Sequence, residues 1–179
     1  MRTRVVLLLA LSALLVFDGE APTRPGSLSG ELASGDLRID AEAVALAVAA
    51  VNPTLSPGEL DRIGRAVIRY STKYGLDPEL VTAVIREESS GRPWVRSPKG
   101  AVGLMQVMPH MFEPLGMAGN PNTIETNIEA GCLILADNIT RLGEKDGVSA
   151  YFWGSEIRDV SYLLRVEAER AAVRRLLRL

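Results

Sequence analysis

The chain has 179 residues, the size of one ordinary domain, with 47 % hydrophobic and 23 % charged residues, a balance typical of globular proteins. A formal net charge of -2 provides no overall basic field, so we expect no nucleic-acid partner. One cysteine and one histidine exclude a Cys/His metal cluster and an internal disulfide built from this chain alone.

The first segment, residues 1–19, has the pattern of an export signal. Arg2 and Arg4 precede an apolar run from Val5 to Phe17 that is shorter than a comfortable membrane span. No small-x-small cleavage site follows cleanly. We therefore expect export to the periplasm or cell envelope, with this segment either removed as a signal peptide or kept as a membrane anchor.

Residues 20–52 are predicted to form a tether that includes a short Ala-rich helix. Gly, Pro, Ser and charged residues fill the stretch 18–39 without a sustained period. Asp40 can cap a helix over 41–51, which Asn52-Pro53 ends. The main domain is then expected over residues 53–179.

Two helices with clear boundaries open this domain. The stretch LSPGELDRIGRAVIRYSTKYG begins with Ser56 as N-cap in a capping box with Glu59, and it ends at Gly75. A second helix starts at once, with Asp77 as its cap and Pro78 at its first position.

The rest of the chain is also predicted to be helical. A loop rich in Gly, Pro and Ser covers 90–103, and a helix is predicted to resume over 106–115. The stretch NIEAGCLILADNITRLG forms a helix closed by Gly143, with Cys132 on its apolar stripe as a core residue rather than a reactive thiol. No segment has strand periodicity, so the fold is predicted to be mainly α, with little or no sheet.

The last helix is predicted from about Ser161 to the C-terminus. Leu163, Val166, Val173 and Leu177 form its apolar stripe, and many arginines occupy its other positions. We predict a solvated charged face, with contact to anionic lipid or polymer as the alternative.

Two adjacent glutamates, Glu87 and Glu88, stand near the end of the helix that begins at Pro78. At about 100° per residue, Glu88 lies close to the centre of the apolar stripe, between Val81 and Val84, whereas Glu87 lies at its edge. Burial of an unpaired carboxylate raises its pKa, and a glutamate that is protonated near neutral pH can act as a general acid. The alternative is that Glu88 only caps backbone donors of the loop, and helical geometry alone favours neither.

The stretch EESSGRPWVRSPKGAVGLMQVMP resembles the signature of the soluble lytic transglycosylases, peptidoglycan-cleaving enzymes of the lysozyme-like superfamily. That signature is a Glu-Ser pair, a Pro five residues after the Glu, a Ser nine after it, and then Gly-Ala-x-Gly-Leu-Met-Gln-x-Met-Pro. The signature is in register when Glu88 is taken as the acid and out of register when Glu87 is. The resemblance to the family extends over roughly 55–165. The matching positions are Ser89, Pro93, Ser97, Gly100, Ala101, Gly103, Leu104, Met105, Gln106, Met108 and Pro109.

A further family motif, Ala-Tyr-Asn followed by Ala-Gly-Pro, is only partly matched by AYFWGS at 150–155. Tyr151 and Gly154 are in place, but Phe152 stands where the family has Asn, and Ser155 where it has Pro. The departure concerns one polar substrate or loop contact and leaves the acid untouched.

The resemblance implies a goose-type, lysozyme-like helical domain over 53–179 with a long active-site loop. It implies cleavage of the β-1,4 bond between N-acetylmuramic acid and N-acetylglucosamine. Glu88 would protonate the bridging oxygen, the muramic acetamide would assist, and Glu88 would then take the proton of the 6-hydroxyl as a 1,6-anhydro ring closes. Ser97, Gln106, Met108 and Tyr151 are expected to line the site. Neither cofactor nor metal is implied, peptidoglycan glycan strands are the expected partner, and we expect a monomer.

Two other functions stay open. A hydrolase of the goose-type lysozyme kind would share the fold and the acid but admit water, leaving reducing ends. A peptidoglycan-binding or assembly module would have lost turnover, an option that Phe152 favours. Trp94 and Trp153 flank the motifs and suit stacking on sugars, with a structural role as the alternative.

Overall fold

The computed structural model describes residues 39–178. The predicted export segment, 1–19, and residues 20–38 of the predicted tether lie outside the described residues. No helix within 39–178 is both long enough and apolar enough to cross a lipid bilayer. The helices are α1 (Ala41–Ala49), α2 (Pro57–Tyr74), α3 (Pro78–Ser89), α4 (Ile124–Leu142), α5 (Glu144–Trp153) and α6 (Ser161–Leu177), with a 3-10 turn at Pro109–Met111.

Isolated bridges are the only β-structure that the described residues contain. Arg96 pairs with Val102, and Val102 pairs with Val107, all within the long loop that joins α3 to α4. The mainly α class, with a long loop and almost no sheet, is therefore confirmed.

The boundaries of α2 and α3 follow from local chemistry. Ser56 Oγ accepts from the Glu59 N–H at 3.3 Å, and Glu59 Oε2 accepts from the Ser56 N–H at 2.8 Å, so the predicted capping box is present. Gly75 ends α2 in the left-handed conformation at φ 67°, which glycine adopts without steric cost. Pro78 begins α3 as predicted, but the Asp77 side chain caps no backbone N–H and binds Arg170 instead.

Helix α1 packs into the same hydrophobic core as the other helices. In the division drawn from the sequence it belongs to the tether over 20–52, yet Val44, Ala47 and Val48 are fully buried, and the helix contacts α2 and α3. Close approach to α2 depends on Gly64, where a Cβ would lie 2.1 Å from the Ala41 carbonyl oxygen. The packed unit thus begins before α2.

Helix α3 is the central element, because α1, α2 and α6 all pack against it. Arg86, which helical geometry places on the side away from the stripe, is covered as well. Its guanidinium donates to the Ala47 carbonyl at 2.6 Å and to Glu169 at 2.6 Å. Five apolar residues of α3 are almost completely inaccessible to solvent: Leu80, Val81, Ala83, Val84 and Ile85.

In the second half of the chain one predicted helix was wrong and one helix was missed. The helix expected over 106–115 is only the 3-10 turn, since Gln106 has a φ of 49° and Val102 pairs with Val107 in a tight turn. Helix α5 was not predicted at all. It packs closely on α4, and Gly147 makes this possible, because a Cβ there would lie 2.6 Å from the Ile139 backbone. Cys132 of α4 is buried, as expected.

Helix α6 covers α3 with a face that shares Val166 and Val173 with the predicted stripe but is rotated toward Tyr162 and Arg170. Tyr162, Val166, Arg170 and Val173 are buried, whereas Leu163 is only partly so. Several arginines of the expected solvated face form ion pairs: Arg165 with Glu87, Arg170 with Asp77, Glu79 and Glu144, and Arg174 with Glu79.

Candidate active site

A cavity of about 460 Å³ lies beside the C-terminal end of α3. The structure brings Glu88 together there with all four of the other predicted site residues, Ser97, Gln106, Met108 and Tyr151. The remaining lining residues are Pro98, Lys99, Ala101 and Phe152. Glu88 is the only carboxylate that the described residues contribute to this lining.

Glu88 is placed at the cavity by the end of its helix. Ser90, directly after α3, takes a left-handed conformation at φ 51° and turns the chain into the loop. The Tyr162 hydroxyl of α6 donates to Glu88 Oε1 at 2.6 Å. This contact fixes the orientation of the carboxyl group at the cavity wall.

The surroundings of Glu88 raise its pKa to about 7 from the ordinary value of 4.5. Burial makes the largest contribution, because a desolvated carboxylate is less stable than the neutral acid. The Tyr162 hydrogen bond opposes this increase by stabilising the carboxylate, the negative charge of Glu87 adds to it, and Arg165 opposes it. Near neutral pH the group can therefore both give and take a proton.

Glu87 has a different environment from its neighbour. It lies at the edge of the apolar stripe, where only 21 % of its side chain is exposed, and it forms an ion pair with Arg165 of α6. It is absent from the lining of the cavity. The choice of Glu88 over Glu87 as the residue facing a cavity agrees with both the helical stripe and the motif register.

One side chain of α4 holds the long loop in place. Asn127 is 1 % exposed, its Oδ1 accepts from the Met105 N–H at 2.8 Å, and its Nδ2 donates to the Val102 carbonyl at 2.8 Å. Gly103, with φ 77°, sits against this amide, and a Cβ there would lie 2.5 Å from it. The glycine of the motif is thus required by close packing on Asn127.

The polar residues of the cavity have part of their hydrogen-bonding capacity already in use. Ser97 Oγ accepts from the Ala101 N–H at 3.0 Å and keeps its own hydrogen to donate. The NH₂ group of Gln106 donates to the Gly103 and Val95 carbonyls, which leaves its amide oxygen for a ligand.

Tyr151 contacts the loop rather than the acid. Its hydroxyl donates to the Met105 carbonyl at 2.8 Å, and burial raises the pKa of this phenol well above 10. The tyrosine that contacts Glu88 is Tyr162, which sequence reasoning missed. The sequence signal that could have identified Tyr162 is its helical spacing from Val166 and Val173, which places all three on one face of α6.

The other residues singled out from the motifs divide between core and surface. Met105 is fully buried, while Met108 is partly exposed in the cavity. Trp94 is 60 % exposed and, among the described residues, does not line the Glu88 cavity. Trp153 packs against Phe152 with ring centroids 4.9 Å apart and lines a second cavity of about 460 Å³. That cavity shares Gln106, Met108, Tyr151 and Phe152 with the first.

The described residues thus form a helical domain with one desolvated glutamate at the wall of a cavity that adjoins a second one. The chain belongs to the transglycosylase SLT domain family, whose model matches residues 65–159. It is 41 % identical over 86 residues to a transglycosylase of Enterobacteria phage PRD1, covering 48 % of this chain and 32 % of that protein.

Cellular enzymes show the same similarity. The chain is 39 % identical over 85 residues to the endo-type membrane-bound lytic murein transglycosylase A of Klebsiella pneumoniae, covering 41 % of this chain and 42 % of that protein. It thus spans about a third to two-fifths of the length of these relatives. The crystal structure of the 70 kDa soluble lytic transglycosylase Slt70 from Escherichia coli has the same fold, with a TM-score of 0.56 at 22 % identity over 74 % of this chain and 30 % of that one.

Proposed function

We propose that this chain is a peptidoglycan lytic transglycosylase, which cleaves the β-1,4 bond between N-acetylmuramic acid and N-acetylglucosamine and leaves a 1,6-anhydro end. The observation that carries the proposal is the position of Glu88, a largely buried carboxyl group that faces the cavity and is hydrogen-bonded by Tyr162. Membership of the SLT family and the names of the murein transglycosylase relatives support it.

Glu88 acts first as the general acid. With a pKa of about 7, a large fraction of the group is protonated at neutral pH, so it can donate to the bridging oxygen as the glycosidic bond breaks. Glycosidases that use two carboxylates need a second one across the bond, as nucleophile or as base. Since the described lining of this cavity contains one carboxylate, we propose that the muramic acetamide oxygen attacks the anomeric carbon in its place.

Glu88 acts next as the general base. After giving up its proton it is a carboxylate whose pKa is high enough to accept the proton of the sugar's own 6-hydroxyl. The 6-oxygen then displaces the acetamide at the anomeric carbon and closes the 1,6-anhydro ring. One residue thus completes both proton transfers, and no water is consumed.

The remaining lining residues hold the substrate. The Ser97 hydroxyl can donate to an acetamido carbonyl, and the Gln106 amide oxygen can accept from an acetamido N–H or a sugar hydroxyl. Met108 provides an apolar surface for the sugar ring. Tyr151 lines the cavity as well and stabilises its wall through a hydrogen bond to the Met105 carbonyl.

We propose that the protein works outside the cytoplasm, on glycan strands in the cell envelope. The charged and apolar pattern of residues 1–19 supports export, and a membrane tether through this segment is consistent with relatives that are named membrane-bound. The envelope is also where peptidoglycan is located.

The decisive experiment is product analysis by mass spectrometry after digestion of purified peptidoglycan. We expect muropeptides with anhydro ends, which are lighter than reducing ends by the mass of one water. Glu88→Gln should abolish their release, whereas Glu87→Gln, the matched control one residue away, should retain it. Soluble products with reducing ends would identify a hydrolase instead. Binding to peptidoglycan without any release by the native protein would identify a binding module.

A further inference from the structure

The aromatic ring of Phe152 is exposed to solvent where the two cavities meet. Phe152 is 48 % exposed, and it lines both the Glu88 cavity and the neighbouring one. Among the other exposed apolar residues of the described part, Leu142 lines only the neighbouring cavity, and Val160 and Leu164 line neither. Phe152 is thus the exposed apolar residue that the two cavities share.

The ring of Phe152 is held in a defined orientation. It stacks on Tyr162, with ring centroids 5.0 Å apart and an angle of 15° between the planes. Trp153 packs against it at 88°, with centroids 4.9 Å apart, and the Arg165 guanidinium lies 5.9 Å from its centre. Such contacts fix an aromatic side chain without covering it completely. One face is occupied by the tyrosine that binds Glu88, and about half of the residue remains accessible.

We infer that Phe152 is a specificity-determining residue of this cleft, a platform on which the apolar face of an N-acetylhexosamine ring packs next to the reacting bond. A β-linked pyranose carries C–H groups on its faces, and covering them with an aromatic ring removes apolar surface from water. An asparagine here would recognise a substrate by hydrogen bonds, whereas a phenylalanine can recognise only such a face. The inference rests on the proposed function for the identity of the sugar.

One side chain, that of Tyr162, lies between the Phe152 ring and the carboxyl group of Glu88. Phe152 and Glu88 line the same cavity, and Tyr162 contacts both, so a sugar on the exposed part of the ring lies in the cavity of the acid. The two cavities also share Gln106, Met108 and Tyr151, so a glycan chain can pass from one to the other across Phe152. The Phe152 platform therefore selects the sugar unit next to the glycosidic bond that is cleaved.

The test is the affinity for a β-1,4-linked N-acetylglucosamine hexamer, measured by calorimetry in the Glu88→Gln background so that the oligomer is not cleaved. Phe152→Leu and Phe152→Asn should each weaken binding by roughly three- to tenfold, the contribution of one aromatic contact. Phe152→Tyr keeps the ring and should bind like the parent. Trp94→Leu removes an aromatic side chain that is also exposed but lies outside both cavities, and it should bind like the parent as well.

Turnover by otherwise native variants gives a second measurement. For Phe152→Leu we expect a higher KM with little change in kcat, and an unfolding midpoint close to that of the native protein, because the side chain is half exposed. Equal affinities of the parent and the Phe152→Leu and Phe152→Asn variants, or no binding by the parent, would overturn the inference. The hexamer test is independent of product formation, so a binding module would pass it and still fail the product analysis that tests the proposed function.

Discussion

Tyr162 and Glu88 are 74 positions apart in the chain, and the phenol of the first donates to the carboxyl group of the second at 2.6 Å. The hydrogen bond stabilises the carboxylate, whereas burial stabilises the neutral acid, and the balance leaves the Glu88 pKa at about 7. Tyr162 therefore both orients the acid and limits the rise of its pKa. The Tyr162 hydroxyl group thus affects both proton transfers of the proposed mechanism, because Glu88 performs both.

Tyr162→Phe removes this hydroxyl and keeps the buried ring. Loss of a hydrogen bond to a charged group should lower kcat/KM by about tenfold to a hundredfold. Because the carboxylate loses a stabilising donor, the Glu88 pKa should rise further, and the alkaline limb of the pH–rate profile should move to higher pH. Tyr70→Phe, which removes the hydroxyl of a buried tyrosine in α2, is the matched control. An unchanged alkaline limb in Tyr162→Phe would contradict the proposed role.

Glu87→Gln should move the same limb in the opposite direction. The negative charge of Glu87 raises the pKa of Glu88, and its ion pair occupies Arg165. Removing that charge lowers the Glu88 pKa, and the released Arg165 guanidinium lowers it too. Activity should persist, with its alkaline limb at lower pH than in the native enzyme. Screening should make the shift smaller in about 1 M salt than at low salt, and a shift toward higher pH would count against this account.

Local signals in the sequence were sufficient for the helices with strong boundary chemistry. Ser56 with Glu59, Gly75 and Pro78 act within a few residues, and they set the limits of α2 and α3 correctly. The signals of α5 are weaker, because Gly143 provides no capping side chain and Gly147 is a poor helix former, although Glu144 and Asp146 lie in the first turn. That helix depends on its packing against α4, which a local pattern does not reveal.

For the candidate site, too, local signals were sufficient for some residues and insufficient for those contributed by distant helices. Glu88 could be chosen because the motif spacing and the helical stripe both act within one segment of the chain. Tyr162 and the Arg165 pair of Glu87 come from α6, and their positions depend on how that helix packs on α3. The predicted stripe on α6, built through Leu163, was rotated from the buried face that contains Tyr162 and Arg170. A polar residue such as Arg170 does not appear in an apolar pattern.

The raised pKa of Glu88 also predicts how stability varies with pH. Below about pH 4.5 the group is neutral in both the folded and the unfolded chain. Between pH 4.5 and 7 the unfolded chain ionises first, so folding loses stability as pH rises, by on the order of 3 kcal/mol in total. Glu88→Gln has no such titration and should become more stable than the native protein as pH rises. Urea unfolding of both proteins at about pH 4.5, 6 and 8 measures the difference, and a difference that does not vary with pH would refute the prediction.

Arg170 should be the most important charged residue for stability. Its side chain is only 8 % exposed, and it binds Asp77, Glu79 and Glu144, which joins α6 to the starts of α3 and α5. Arg170→Met removes a buried cation whose partner Glu79 is largely buried, whereas Asp77 and Glu144 are exposed, so it should lower the free energy of unfolding by roughly 1–3 kcal/mol. Arg65→Met breaks an exposed pair with Asp61 on α2 and should leave the unfolding curve nearly unchanged. Similar losses in the two variants would disprove the distinction.

Gly131 of α4 should be essential for the wall of the cavity, although glycine weakens a helix. A Cβ at this position would lie 2.4 Å from Sδ and 2.6 Å from Cβ of Met105, which is fully buried and whose carbonyl holds the Tyr151 hydroxyl. Gly131→Ala should therefore lower the free energy of unfolding by about 1–3 kcal/mol through overpacking, and it should lower activity by displacing Tyr151. Gly58→Ala in α2 meets no atom within 4 Å, so the better helix former should be tolerated or slightly stabilising. Thermal unfolding and muropeptide release of the two variants measure both effects, and equal behaviour would show that Met105 can move aside at little cost.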